Sequence, residues 1–269
     1  MAHVYNQCRK MQTERIAELL APFLAADAAA EQQVPHRAFD PIRNDNDLSS
    51  SVLENISTYI DLLLRWNARV NLTAVRDPEE IVTRHFGESL MAARHLFPKH
   101  VGTAAPGCPA EQSSAAPALA LNPPSGETPS APVSLADVGS GAGFPGIPIK
   151  LWAPQIALTL IESNHKKAAF LREVCRALTL TDINVMSERA ETITTSFDVV
   201  TLRAVERFET VLPAAARLVK PTGRLALLIG SAQVDAARLA LPEFYFSEPP
   251  AVPLSKSRIL AIASPRQLT

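Results

Sequence analysis

Cysteine is scarce in this chain of 269 residues, and the three present, Cys8, Cys108 and Cys175, have no metal-binding or redox spacing. A scattered, odd set excludes a disulfide-stapled scaffold and is typical of a reducing compartment. The six histidines show no metal-ligand spacing either. No apolar run approaches the roughly 18 residues that a membrane span needs, and residues 1–10 lack the apolar core of a signal peptide. We therefore expect a cytoplasmic protein with no membrane association and no metal.

An excess of charge of one sign is also missing, because 26 basic side chains face 27 acidic ones and the net charge is -1. This balance excludes a protein that coats nucleic acid through charge alone, since such binding depends on many phosphate contacts. The balance is uneven, however, because residues 135–269 carry 15 basic and 12 acidic side chains. A mildly basic C-terminal half remains compatible with recognition of one structured RNA site.

Residues 101–134 differ from the rest of the chain in composition. They contain seven prolines and eight alanines but no aromatic residue, lysine or arginine. Too little apolar side chain is present to offset the entropy of ordering the backbone, which predicts a flexible insertion. Before it we expect a partly helical extension over residues 1–47 and a helical cap over 48–100. After it we expect a second part over 135–269.

Helix signals dominate before the insertion. A first helix is predicted over Thr13–Ala26. Ser51 and Glu54 have the spacing of a capping box, which predicts a second helix beginning there. Asp77 followed by Pro78 predicts a third helix, with the aspartate as its N-cap and the proline at its first position.

After the insertion, short apolar strands alternate with helices. The predicted strands cover 133–138, 156–161, 183–186, 197–202, 224–229 and 258–263. The predicted helices cover 145–152, 164–178 and 206–219, and Pro221-Thr222-Gly223 stops the last one. Continuous apolar strands separated by helices predict an α/β fold with a largely parallel sheet and helices on both faces.

A glycine-rich loop, Asp137-Val138-Gly139-Ser140-Gly141-Ala142-Gly143, joins the first of these strands to the first helix. Glycines let a backbone turn sharply and approach a ligand, so this is the context of a nucleotide-binding loop. The pattern Gly141-x-Gly143-x-x-Gly146 alone is a weak match to a dinucleotide loop. The acid two residues before the first glycine is the usual arrangement in S-adenosylmethionine binders, and it favours that cofactor.

Three further segments follow the ends of predicted strands. Glu162 lies 19 positions after Gly143, where an acid can accept both hydroxyls of a ribose, but this does not choose between S-adenosylmethionine and a nicotinamide dinucleotide. The segment 189–191, Arg-Ala-Glu, follows the third strand, where an adenine would lie, although an ordinary loop explains it equally well. Arg203 follows the fourth strand, and we expect it to bind the cofactor carboxylate or an incoming phosphate. The alternative is a surface arginine paired with Glu206.

Some chemistry is excluded by what does not follow the fourth strand. No Asn-Pro-Pro-Tyr-like motif is present there, so the signature of amino-group methyltransferases is missing. No cysteine is present there either, which argues against covalent attack on a pyrimidine. Attack by a guanine N7 lone pair on a sulfonium methyl group suits such a site, because N7 carries no proton and positioning supplies most of the catalysis.

Several segments occur together in an order that is specific to one known family. They are Leu64-x-Trp66-Asn67, Asn71-Leu72-Thr73-Ala74-Val75-Arg76-Asp77, Arg84-His85-Phe86-x-Glu88-Ser89-Leu90, the loop from Asp137 to Pro148, Arg189-Ala190-Glu191, and Phe197-Asp198 with Arg203-Ala204. With these segments the chain resembles the bacterial glucose-inhibited division protein B family, the small-subunit rRNA guanine-N7 methyltransferases.

The resemblance implies a Rossmann-like class I methyltransferase domain over 135–269, which forms one globular unit with the helical cap. It implies methylation of a guanine N7 in the decoding-centre loop of 16S rRNA, free or in the small ribosomal subunit, and we expect a monomer. By position, Gly139 and Phe144 are expected to line the methionine and adenosine site. Ala190 and Glu191 are expected at the adenine, and Arg203 is expected to close the pocket as a positioning residue.

The chain departs from the family pattern at three places. Glu88 stands where the family has aspartate, and Ile229-Gly230 and Ala263-Ser264 stand where the family has lysines. The last two changes remove positive charge near the expected RNA face. The sequence alone therefore also permits a methyltransferase for a small molecule or protein, a nicotinamide-dependent oxidoreductase, or an RNA-binding assembly module without turnover.

Overall fold

The computed structural model describes residues 11–25, 48–98, 131–204 and 208–266. Nearly all of the predicted flexible insertion over 101–134, and residues 26–47 of the predicted extension, lie outside the described residues. Among the described residues, no helix is long and apolar enough to cross a membrane.

Within the described part of the chain, seven strands form one sheet. They are β1 (Ser134–Val138), β2 (Ala157–Ile161), β3 (Ile183–Met186), β4 (Phe197–Arg203), β5 (Val219–Gly230), β6 (Phe244–Phe246) and β7 (Arg258–Pro265). The order is β3-β2-β1-β4-β5-β7-β6. Strands β1 to β5 run parallel, while β7 lies antiparallel between β5 and β6. The predicted α/β fold with a largely parallel sheet is confirmed.

The helices cover both faces of the sheet. They are α1 (Thr13–Leu24), α2 (Ser50–Asn67), α3 (Pro78–Ile81), a π-helix (Val82–Gly87), α4 (Glu88–Leu96), α5 (Gly146–Trp152), α6 (His165–Ala177), α7 (Phe208–Arg217) and α8 (Val234–Ala240). Helices α1, α2, α4, α5 and α6 share one hydrophobic cluster with one face of the sheet, and α7 and α8 share a second cluster with the other face.

Strand β1 illustrates why the strands are apolar throughout. Leu135 belongs to the first cluster, and its neighbour Ala136 belongs to the second, because successive side chains point to opposite faces. A strand that is covered on both faces has no solvent side, so the alternation of apolar and polar residues disappears.

The N-terminal helix α1 is part of the same core as the cap. Its residues Ile16, Leu20 and Phe23 are buried in the first cluster. A Cβ on Gly87 of the π-helix would lie 2.6 Å from the ring of Phe23, so the absence of a side chain lets the two helices approach. Arg15 of α1 also forms an exposed bidentate ion pair with Glu79 of α3.

Two predicted element boundaries differ from those in the structure. The N-cap of α2 is Ser49, two residues before the predicted Ser51, because the side chain of Ser49 accepts the N–H of Val52. Three consecutive serines offer equivalent caps, so the sequence does not choose between them. The segment 221–223, predicted to stop a helix, lies inside β5, which pairs with β4 across a register shift.

The third predicted helix begins as expected, since the side chain of Asp77 accepts the N–H of Glu80 and Pro78 is its first residue. It is not a continuous α-helix, however, because the π-helix interrupts it between α3 and α4. Such widened turns are frequent at functional sites. Helix α8 and strand β6 were not predicted.

Candidate active site

The carboxyl ends of β1, β2, β3 and β4 meet at one edge of the sheet. Strand β1 lies between β2 and β4. The connection after β1 leads to β2 on one side, and the later connection from β3 leads to β4 on the other side. A crevice opens between the two connections, where parallel α/β folds bind ligands. The loop after β1 crosses this edge. It is tied to β2 because the N–H groups of Gly139 and Ser140 donate to the carbonyl of Ile161 at 2.9 and 3.1 Å.

The glycine loop has a backbone that side chains rarely permit. The φ angles of Gly139, Gly141 and Gly143 are 67°, 55° and 88°. A Cβ on Gly141 would have only the carbonyl oxygen of Gly139 within 4 Å, at 3.7 Å, so this position faces open space. A Cβ on Gly143 would collide with the hydroxyl of Tyr59 and approach Ile147 to 2.7 Å. Gly141 thus opens towards the crevice, while Gly143 fits against the cap.

Asp137, at the end of β1, is fully buried beneath the loop. Its Oδ1 accepts a hydrogen bond from the hydroxyl of Thr201 at 2.8 Å, and its Oδ2 accepts one from the N–H of Gly146 at 3.2 Å. Burial raises the pKa of Asp137 to about 6, although these hydrogen bonds oppose the rise. The carboxyl group therefore links β1, β4 and the start of α5 rather than facing a ligand.

Glu162 lies directly after β2 and is 7% exposed. Its Oε2 accepts the N–H of Gly141 at 2.9 Å, and its Oε1 accepts the N–H of Asn164 at 2.8 Å. The structure thus brings this carboxylate against the glycine loop, as its position in the sequence predicts. Each carboxylate oxygen has lone pairs beyond the one used by the backbone.

The segment after β3 forms a single 3₁₀ turn over Ala190–Thr192. Ala190 is buried at 6% exposure, whereas Glu191 is exposed and its carbonyl accepts a hydrogen bond from Arg217 at 3.2 Å. The acidic side chain of Glu191 has no described contact to the glycine loop, and the expected adenine site at these residues stays a prediction.

The side chain of Arg203 contacts the helical cap, and its expected contact with a cofactor or a phosphate stays a prediction. Its side chain is 8% exposed, and its Nη2 donates to Glu88 Oε2 at 2.9 Å and to the carbonyl of Arg84 at 2.7 Å. The same nitrogen lies 3.1 Å from His85 Nδ1. The predicted alternative partner, Glu206, lies outside the described residues. The guanidinium faces the cap because a buried carboxylate holds it there, so it ties the end of β4 to the π-helix.

An aromatic cluster joins the cap to the glycine loop. The hydroxyl of Tyr59, on α2, donates to the carbonyl of Ala142. Its ring stacks on Phe144 with centroids 5.3 Å apart and meets Phe86 edge-on at 5.2 Å. Burial raises the pKa of Tyr59 well above its usual value, so it stays protonated and donates. The sequence does not single out this residue, although a tyrosine on a buried helical stripe signals that its hydroxyl needs a partner.

His85, in the π-helix, stacks on the other side of this cluster, 4.8 Å from Phe144. Burial, followed by the positive charges of Arg203 and two other arginines, lowers the pKa of His85 to about 3. The ring is therefore neutral, with Nδ1 beside the guanidinium of Arg203 and Nε2 free to pair with a hydroxyl. That nitrogen lies 2.8 Å from the hydroxyl of Thr73, which fixes the neutral ring in place.

The loop before the π-helix holds Thr73 in position. The side chain of Asn67 accepts the N–H groups of Leu72 and Thr73 at 2.9 and 3.1 Å and donates to the carbonyl of Thr73 at 2.9 Å. Two of the segments that carry the family resemblance, those containing Asn67 and Thr73, therefore hold the ring of His85 in place. That ring in turn stacks on Phe144, which follows the glycine loop. Among the described residues, no cluster of side chains is suited to a metal ion.

Comparison with known proteins gives one consistent family. The family model for rRNA small subunit methyltransferase G matches residues 52–110 and 126–252. The chain is 36% identical over 203 residues to a ribosomal RNA small subunit methyltransferase G of Roseiflexus castenholzii, covering 72% of this chain and 73% of the relative. The protein of that name from Chloroflexus aggregans is 34% identical over 228 residues, covering 80% and 82%.

Among solved structures, the chain is similar to a ribosomal protein L11 methylase from Lactobacillus delbrueckii subsp. bulgaricus. The TM-score is 0.45 and the identity 16%, over 52% of this chain and 73% of that one. The fold is assigned from the order and direction of this chain's own strands.

Proposed function

Because the chain belongs to the family of rRNA small subunit methyltransferase G, we propose that it transfers the methyl group of S-adenosylmethionine to the N7 of a guanine in the decoding-centre loop of 16S rRNA. The fold is Rossmann-like, and the enzyme is an S-adenosylmethionine-dependent rRNA methyltransferase. The single observation that carries the cofactor's location is the glycine loop, whose open backbone at Gly141 meets the carboxylate of Glu162.

S-adenosylmethionine fits this edge of the sheet. The backbone at Gly139 and Gly141 leaves room for close approach, because glycine supplies the left-handed conformation without a Cβ. The remaining lone pairs of Glu162 suit the hydroxyls of a ribose. We expect the adenine at Ala190 and Glu191, and the methionine end against Gly139 and the Phe144 backbone.

The bound cofactor supplies an electrophilic methyl group on a sulfonium. The chain's own residues position the two reactants, because the guanine N7 has a free lone pair and carries no proton that a base must remove. This matches the state of the titratable groups at the site. His85 is neutral with both ring nitrogens engaged, and Asp137 is committed to the backbone of α5.

Arg203 then acts as a positioning residue rather than as an acid or a base. Its contacts hold the π-helix, and through His85 they hold Phe144 of the glycine loop. A buried arginine that is fully occupied by the cap closes the pocket from the side of β4. We further propose that the enzyme works in the cytoplasm, where its ribosomal RNA substrate is, and that it works as a monomer. Light scattering of the purified protein tests the monomer.

The proposed reaction is tested with labelled S-adenosylmethionine and 16S rRNA that lacks the modification, both free and in small ribosomal subunits. We expect label at one guanine, with the strand cleavage by borohydride and aniline that N7-methylguanosine permits. Glu162→Ala should abolish most of the label, while Asp235→Ala, at a carboxylate that is 94% exposed, should leave it unchanged. The absence of label at any guanine N7, with cofactor binding confirmed by calorimetry, contradicts the proposal. Label only on a protein or small molecule favours the alternative substrate classes.

A further inference from the structure

A cavity of about 360 Å³ opens between the π-helix and the turn that precedes β7. Three basic side chains line it, those of Arg84, Lys256 and Arg258, against one acidic side chain, that of Glu88. Such an excess of positive charge in a concave site favours an anion.

The acidic side chain is already committed to two arginines. Glu88 is 3% exposed, its Oε2 accepts from Arg203 at 2.9 Å, and its Oε1 lies 3.0 Å from Nε of Arg258. Arg84 is paired with the exposed Glu80 at 2.7 Å, but the one carboxylate of Glu88 is shared by two guanidinium groups, so the cluster retains positive charge. Lys256 is exposed and has no ion-pair partner among the described residues, which adds to that charge.

Arg258 has hydrogen-bonding capacity that the described residues leave unused. Its Nη2 is buried and has no hydrogen-bond partner in that part of the chain, and its Nε contact to Glu88 lacks hydrogen-bond alignment. A buried N–H group without an acceptor costs free energy. The side chain as a whole is 23% exposed and lines the cavity, so its accessible part can meet an anion there.

The cavity adjoins the proposed methylation site through the π-helix. Arg84 lines the cavity, and the next residue, His85, stacks on Phe144 of the glycine loop. On the opposite wall, Arg258 pairs with Gly230 at the carboxyl end of β5, so it lies at the same edge of the sheet as the loop.

The turn on that wall is built in an uncommon conformation. Leu254 has a φ of 59° although it is not a glycine, and its side chain is 74% exposed. The hydroxyl of Ser255 accepts the N–H of Arg258 at 3.1 Å, which stabilises the turn. Strained backbone at a cavity rim often marks a binding site. The exposed side chain of Leu254 can contact a nucleobase while the neighbouring basic side chains contact the phosphate of that nucleotide.

We infer that this cavity binds a phosphate of the RNA backbone beside the target guanine, with Arg84, Lys256 and Arg258 as its donors. The inference rests on the proposed function, because it takes the RNA substrate as given. A phosphate diester supplies acceptor oxygens to the accessible part of the Arg258 side chain, and its charge offsets the excess carried by the cluster.

The test measures the affinity of the full-length protein for a fluorescent 16S rRNA fragment that spans the decoding-centre loop, at 50 and 200 mM salt. Each phosphate contact that is lost lowers the salt slope by roughly 0.7 to 0.9, so the ratio of the two dissociation constants should fall by about threefold. We expect this for Lys256→Gln and for Arg84→Gln, and a larger fall for the double variant.

Arg176→Gln is the matched control. This exposed arginine is in the last turn of α6, which returns from the carboxyl edge of the sheet to the opposite edge, so its loss should leave the ratio unchanged. All variants should bind S-adenosylmethionine as the wild type does, which shows that they are folded.

Two results overturn the inference. The first is a wild-type salt dependence in both cavity variants. The second is a wild-type salt dependence in variants that also lose the thermal stabilisation that inorganic phosphate gives to the wild-type protein. That combination would make the cavity a site for free phosphate. Failure of the proposed function is separate, because it appears as wild-type protein that binds the fragment but transfers no methyl group to it.

Discussion

The hydroxyl group of Tyr59 gives the most direct test of how the cap controls the glycine loop. This side chain is completely buried, and its hydroxyl supplies the one described hydrogen bond to the carbonyl of Ala142. Tyr59→Phe removes only the oxygen, so the stacking on Phe144 and the edge contact with Phe86 remain. The substitution therefore isolates the hydrogen bond from the packing.

The expected cost follows from leaving a buried carbonyl without a donor, which is about 1 to 3 kcal/mol. We expect this loss in the free energy of unfolding, measured with urea. Because the affected carbonyl lies between Gly141 and Gly143, part of the loss should also appear as a weaker cofactor site. A change of about 1 kcal/mol corresponds to a roughly fivefold rise in the dissociation constant for S-adenosylmethionine, measured by calorimetry.

Tyr245→Phe is the control, since this tyrosine is 66% exposed and should tolerate the same change within about 0.5 kcal/mol. If Tyr59→Phe matched Tyr245→Phe in both unfolding and cofactor binding, the hydrogen bond would not hold the loop, and the proposed role of the cap would be refuted.

Three further perturbations test other parts of the site. Gly143→Ala should cost more than about 2 kcal/mol of unfolding free energy, because the residue has a φ of 88° and its new Cβ meets Tyr59, whereas Gly230→Ala, with its nearest neighbour at 3.6 Å, should cost little. Asp137→Asn should gain about 3 kcal/mol of stability relative to wild type between pH 4 and pH 7, with little further gain above pH 7. The folded wild type keeps the Asp137 proton up to a pKa of about 6, while the unfolded chain releases it near 3.8, so wild-type stability falls across that window. A difference in urea unfolding that does not depend on pH would contradict this. Glu88→Ala should lower the free energy of unfolding by about 3 to 5 kcal/mol, because it leaves two guanidinium groups without their carboxylate. Asp235→Ala should change it by nearly nothing. Equal thermal melting of the two variants would refute the buried ion-pair network.

The sheet and the glycine loop were predictable because their signals are local. The central strands β1, β2 and β4 are apolar runs, and α2, α3 and α6 each begin at a capping side chain. The loop's glycines and Glu162 are identified by their distance along the chain from a strand end. These features need no knowledge of distant neighbours, and the structure brings Glu162 to within 2.9 Å of the N–H of Gly141.

The contacts between the cap and the loop were not predictable, because they join residues far apart in sequence. Tyr59 and Ala142 are 83 positions apart, and Arg203 is 115 positions from Glu88. Nothing near Arg203 in the sequence indicates that a glutamate from the cap will bury it. The π-helix likewise arises from packing across two elements, so the local sequence alone predicts an ordinary α-helix.

The strand directions also change where positive charge was expected. From the sequence, Ala263-Ser264, which stands where the family has lysines, is expected near the RNA face. Strand β7 is antiparallel, however, so its end at Ser264 pairs with Tyr245 at the opposite edge of the sheet. Its beginning at Arg258 lies at the edge that carries the glycine loop, and the unpaired basic groups are found there.

The central claim is that this chain methylates a guanine N7 of 16S rRNA. It is tested most directly by mapping N7-methylguanosine in 16S rRNA from cells with and without the protein, and from cells that carry only the Glu162→Ala variant. The account predicts one methylated guanine in the decoding-centre loop that disappears without the protein and is not restored by the variant. An unchanged map in the cells that lack the protein would contradict it.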